Sequence, residues 1–141
     1  MSITGEGRPT ILVACVQNAG RSQAAAALIR SLAGSAVEVR SGGSEPAAAV
    51  HPEVATVLEE RGLSGTTPPR AWTDDDVIAA DVVVTMGCGD TCPFYPGTRY
   101  EDWDVTDPSG RSVAEVRRIA DDIEARVRVL LASIGVPTTA S

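Results

Sequence analysis

One histidine and three cysteines are all that the 141 residues hold of the two best metal-ligating residue types. A structural zinc site usually takes four ligands, so a zinc framework is a poor fit and no metal site is expected. Three cysteines are also too few for a disulfide scaffold and point to nucleophilic or redox thiols in a reducing compartment. Basic residues are outnumbered, 12 to 19, for a net charge of −7 and a pI near 4.6. That balance excludes an extended nucleic-acid surface. No apolar run approaches the roughly 20 residues that span a bilayer, and residues 1–9 carry no signal-peptide core. The expectation is a cytoplasmic chain with neither a membrane nor a nucleic-acid partner. Internal repeats, linkers and low-complexity runs are absent as well. What remains is ordinary globular composition, 43% hydrophobic and 22% charged, of a length that suits one domain. We place that domain at residues 10–134, between flexible tails at 1–9 and 135–141.

The stretch that organises the chain is Cys15-Val16-Gln17-Asn18-Ala19-Gly20-Arg21-Ser22. Ile11 to Ala14 before it reads as a buried parallel strand, and the alanine-rich segment after it reads as a helix. A loop between strand end and helix start turns backbone N–H groups inward, and the helix N-terminus adds partial positive charge. Residues 16–20 are therefore expected to cradle a tetrahedral oxyanion. Arg21 can add two parallel charge-assisted hydrogen bonds, Asn18 can hold the left-handed conformation, Gly20 gives flexibility, and Ser22 can donate to sulfur. The same field favours the Cys15 thiolate, a nucleophile aimed at the anion. A lone cysteine after a strand is more often a buried small hydrophobe; the strand–loop–helix setting argues for chemistry here.

The rest of the chain alternates strands with helices. Helices are expected at 22–32, closed by Gly34, and at 52–61, closed by Gly62. A short one through Ala80 is capped by Thr73 and Asp76. The clearest covers 112–134, where Val113, Val116, Ile119, Ile123, Val127, Leu130 and Ile134 recur at spacings of three and four. Ser112 and Glu115 form its capping box. Strands are expected at 36–40 on a sheet edge, at 81–86 and at 100–105, with a turn at 41–44 that could also flank the anion site. The pattern predicts a single α/β domain with a four-stranded parallel sheet flanked by helices, in flavodoxin-like layers. Its site belongs at the carboxyl ends of the strands, where Cys15, residues 87–92 and Asp107 would share one rim. Cys88 and Cys92 lie four apart, a spacing that one helical turn or a loop brings within disulfide reach of about 4.4–6.8 Å between Cα atoms. A metal pair or two inert thiols remain the other readings. His51, before Pro52, reads as a surface or capping residue.

Placed in this way, the chain resembles the low-molecular-weight tyrosine phosphatase superfamily, in particular its arsenate reductase branch of actinobacterial type. The resemblance spans about residues 10–131. It is carried by the 15–23 loop, Arg40-Ser-Gly-Gly-Ser-Glu-Pro46, Thr85-Met-Gly-Cys-Gly-Asp-Thr-Cys-Pro93, Tyr100-Glu-Asp-Trp103 and Asp107-Pro108. It implies a three-thiol relay. Cys15 attacks arsenate held by Val16, Gln17, Asn18, Ala19, Gly20 and Arg21, with Ser22 beside the thiol, and Asp107 assists departure of the leaving oxygen. Cys88 releases arsenite by forming a disulfide with Cys15. Cys92 then displaces Cys15, and thioredoxin reduces the Cys88–Cys92 bond. No tightly bound cofactor is implied, phosphate or sulfate are expected to compete for the loop, and the chain would act as a monomer or homodimer.

Several positions depart from the pattern. Gln17 stands where relatives often carry His or Gly. Ala26 stands where some members carry a potassium-binding Glu, so that ion is not carried over. Ser109 and Gly110 replace the aromatic pair of tyrosine phosphatases, which favours a small inorganic substrate. The rivals are a phosphatase using only Cys15, Arg21 and Asp107, a mycothiol- and mycoredoxin-coupled reductase, and a non-enzymatic thiol protein that binds arsenite or a soft metal.

Overall fold

Period-two alternation along β1 (Thr10–Cys15) sends Ile11, Val13 and Cys15 to one face of a sheet and Leu12 to the other. In the computed structural model, which describes residues 8–63, 66–87 and 97–138, every residue of β1 is buried. It is flanked by β2 (Glu38–Gly43) and β3 (Val82–Thr85), and β4 (Arg99–Asp102) closes the order β2-β1-β3-β4 with all pairs parallel. This is the expected four-stranded parallel sheet, with β2 at an edge.

The Cys15 face carries the larger core. It is covered by α1 (Arg21–Ala33), α2 (Pro52–Glu60) and α4 (Val113–Ser133). The alanines at 24–27 are buried, and their small side chains suit a helix that packs on the sheet and on α4 at once. Full burial of Ile123 and Leu130 on α4 contributes about 2 kcal/mol each. The opposite face is thinner: Leu12 and Val83 meet Val77 and Ala80, around α3 (Asp74–Ala79). Both predicted capping boxes form, Thr73 with Asp76 and Ser112 with Glu115. Among the described residues no helix is long and apolar enough to cross a membrane.

Two expectations need correction. Ser41, Gly42 and Gly43 continue β2 instead of turning, because Val13, Ala14 and Cys15 offer them ladder partners. The chain after Gly135 is also held further than expected. With Gly135 in a left-handed conformation, the Val136 N–H reaches back to the Leu131 carbonyl and Val136 is buried, which is a Schellman closure.

Candidate active site

Residues 16–20 leave the end of β1 and enter α1 through Gly20, which supplies no side-chain cap. The orphan N–H groups of the first turn are thus left for an anion. The carbonyls of Cys15, Val16, Gln17 and Ala19 accept from the N–H groups of Ser44, Glu45, Ala47 and His51, at 2.7–3.2 Å. In a planar trans peptide the N–H points opposite to the C=O. With these four carbonyls drawn outward to the 44–51 segment, the N–H groups of residues 16, 17, 18 and 20 face inward. The Asn18 N–H does so at 3.3 Å from Cys15 Sγ. Gly43 makes the brace possible, since a Cβ there would run into the Val16 carbonyl oxygen and lie 2.9 Å from the Asn18 nitrogen.

Cys15 is buried at the floor, with Ser22 Oγ 2.9 Å from its sulfur. Asn18 holds φ at 51°, the left-handed geometry that Asn tolerates. Its Oδ1 faces the Arg70 N–H at 3.0 Å and Gln23 Nε2 at 3.4 Å, so its Nδ2 is the end that donates to Ser22 Oγ at 2.7 Å. Ser22 accepts from Asn18 and its hydroxyl hydrogen is left for Cys15. Gln23, fully buried, binds both the Asn18 carbonyl and Thr67. Asn18 and Ala19 are themselves completely buried, so Asn18 works on the thiol from behind the loop.

Arg21 stands at the rim. Its Nη1 donates to the Val105 carbonyl at 3.2 Å, and its Nη2 lies 3.8 Å from Asp107 Oδ2. Gly87, at φ +83°, has the Arg21 guanidinium where a Cβ would be, 2.7 Å from Nη1. Asp107 is over half exposed, and its Oδ1 accepts from the Ser109 N–H. An open cavity of about 200 Å³ joins Cys15, Val16, Gln17, Gly20 and Arg21 on one side to His51, Asp107 and Ser109 on the other. No Phe, Tyr or Trp lines it among the described residues. Cys88 and Cys92 lie outside the described residues.

Two readings from sequence change here. Gly20 is needed for close approach rather than for flexibility: a Cβ would fall 2.7 Å from the Pro108 ring and 3.2 Å from His51. His51 does stand at the N-cap of α2, but its side chain makes no cap bond and lines the cavity. The available signal was its place in the loop after β2, which belongs to the same rim as the loop after β1.

A second layer supports the loop. Asp76, almost fully buried, accepts from Arg70 Nη2 at 2.6 Å and Arg40 Nη1 at 3.3 Å, and Arg70 Nη1 donates to the Ser41 carbonyl. Burial pushes the Asp76 carboxyl up, but the Thr73 N–H and the Arg70 guanidinium outweigh it and hold it below the usual carboxylate range. A depressed folded value means stabilisation complete above the ordinary Asp value of about 3.9 and lost as pH falls through the lower folded value. Asp76→Asn is expected to cost about 1–3 kcal/mol at pH 7 and to flatten the acid limb of stability. Urea unfolding from pH 7 to pH 3 checks this; curves that stay parallel to wild type would contradict it.

A buried thiol under an inward-facing amide loop, an arginine at its rim and a carboxylate across the opening make up a site of the oxyanion-binding type in an α/β protein. The chain belongs to the low molecular weight phosphotyrosine protein phosphatase family, whose pattern matches residues 10–138. A Halobacterium salinarum protein carrying an arsenate reductase assignment is 43% identical over 121 residues, 80% of this chain and 84% of that protein. The thioredoxin-dependent arsenate reductase of Corynebacterium glutamicum superposes with a TM-score of 0.81 at 47% identity, covering 90% of this chain. This chain spans 62% of the length of that one. A structure of an arsenate reductase in the phosphate binding state aligns with a TM-score of 0.79 at 28% identity, over 90% of this chain and 99% of that chain.

Proposed function

We propose that this protein reduces arsenate to arsenite, with Cys15 as nucleophile and thioredoxin as the final reductant. The observation that carries the reading is a buried thiol, 2.9 Å from Ser22 and 3.3 Å from the Asn18 N–H, facing a cavity that no Phe, Tyr or Trp lines among the described residues. Such a site suits a small inorganic oxyanion better than an aryl phosphate. The names of the similar proteins support arsenate as that anion.

The steps follow from thiolate chemistry. Cys15 sulfur bonds to As(V) while the loop amides and Arg21 hold the oxygens, and one oxygen leaves as water with a proton from Asp107. Cys88 thiolate then attacks Cys15 sulfur. The S–S bond forms, the As–S electron pair stays on arsenic, and As(III) departs as arsenite. Cys92 attacks Cys88 and frees the Cys15 thiolate, and a thioredoxin dithiol reduces the Cys88–Cys92 disulfide. Phosphate-ester hydrolysis needs only Cys15, Arg21 and Asp107; the other two thiols are what the phosphatase reading leaves without a role. Gly87 stands against Arg21, and Cys88 is the next residue in sequence.

The test is a disulfide map by mass spectrometry after one equivalent of arsenate. Cys92→Ser is expected to stop after one turnover with Cys15 joined to Cys88, and Cys88→Ser to release no arsenite. Any hydrolysis of p-nitrophenyl phosphate is expected to survive in both. Full turnover of the Cys92 variant with thioredoxin, with Cys15 free, would refute the relay and bring forward an external thiol such as mycothiol.

A further inference from the structure

We propose that His51 is a substrate-binding residue whose imidazole holds the oxyanion oxygen that projects out of the loop. This rests on the oxyanion-binding reading of the site and assigns it a second side-chain donor. His51 is tied to the loop through its main chain, its N–H donating to the Ala19 carbonyl at 2.9 Å. Its Cδ2 edge packs against Gly20, 3.2 Å from the position of a Cβ there. The imidazole caps nothing in α2 and has no hydrogen-bond or ion-pair partner among the described residues. A polar ring on a bonded main chain, lining the cavity and without a partner among the described residues, is placed to meet what the cavity binds.

The geometry of the anion gives that ring a task. The inward amides and Arg21 can take the oxygens that point into the loop. At least one oxygen of a tetrahedral anion must face the opposite wall, which His51, Asp107 and Ser109 form. The titratable and charged groups on this cavity are Cys15 from β1, Arg21 from α1, Asp107 from the segment before α4, and His51 itself. Asp107 carries negative charge when ionised and disfavours an anionic oxygen on its side. His51 offers an N–H donor to an oxygen on that wall.

The experiment is calorimetric titration of inorganic phosphate into the reduced full chain, with His51→Gln and His51→Phe beside the wild type. Phe keeps a ring against Gly20 without a donor, and Gln keeps a neutral donor without a charge. His51→Phe is expected to bind phosphate about tenfold more weakly, the loss of one hydrogen bond to a charged group at an open site. His51→Gln, which keeps a donor, is expected to lose less. In arsenate reduction KM is expected to rise by the same factor. Equal phosphate affinities in all three proteins would overturn the assignment. So would equal losses in both variants, which would show that the donor is not used. A wild type that binds phosphate but reduces no arsenate would refute the proposed activity and leave His51 to be judged by the titration.

Discussion

A Cys15→Ser protein is expected to reduce no arsenate, with turnover down by at least about 10⁴, the order seen when a nucleophile is deleted from an otherwise intact site. Serine is close in size to cysteine, and the Asn18 N–H and Ser22 that contact the sulfur remain. The fold and the loop should therefore persist. A neutral hydroxyl lacks the nucleophilicity of a thiolate and has no histidine or carboxylate base among the described groups that bond to Cys15. It also cannot form the disulfide through which arsenic would gain its electron pair. The measurement is arsenate-dependent NADPH consumption with thioredoxin and its reductase, run beside phosphate titration of the same variant. Retained phosphate binding with no turnover is the expected pair of results. Appreciable reduction by the serine variant would remove Cys15 from the nucleophile's role.

The second large effect is expected at Arg21. Arg21→Lys keeps the charge, yet kcat/KM should fall by about 10²–10³, as when an anion-stabilising donor is removed from a preorganised site. The guanidinium is held at two points: Nη1 is anchored on the Val105 carbonyl while Nη2 stands toward Asp107. Gly87 leaves room for that plane. A lysine ammonium is a point donor that can meet the anchor or the anion but cannot present two parallel bonds to an oxyanion. Steady-state kinetics should show a raised KM together with a lowered kcat. Activity within fivefold of wild type would show that charge alone suffices at this position.

Much of this was legible along the chain because the decisive signals are local. A buried apolar strand, a loop of fixed length and an alanine-rich helix specify Cys15-x5-Arg21 without knowledge of anything distant. The three-and-four spacing of α4 and its Ser112–Glu115 box are equally self-contained. Alternation of strands and helices then limits the sheet to parallel pairing, which puts the loops after the strands on one rim.

Other properties exist only once distant segments meet. Ser41 to Gly43 read as a turn by composition, but ladder partners on β1 hold them extended, since pairing outweighs the weak preference of single residues. Gly20 and Gly43 are glycines because Pro108 and the Val16 carbonyl crowd them from elsewhere in the chain. The orientation of the Asn18 amide, and through it of the Ser22 hydroxyl, is decided by the Arg70 N–H and Gln23. His51 shows the difference most clearly. In sequence it is a lone histidine before a proline; in space its main chain bonds Ala19 and its ring faces the anion cavity. The sequence by itself determined the Cys15-x5-Arg21 loop and the layered fold, because each is written in consecutive residues. Only the tertiary structure decided what surrounds them, because hydrogen-bond direction and steric room depend on groups tens of residues away.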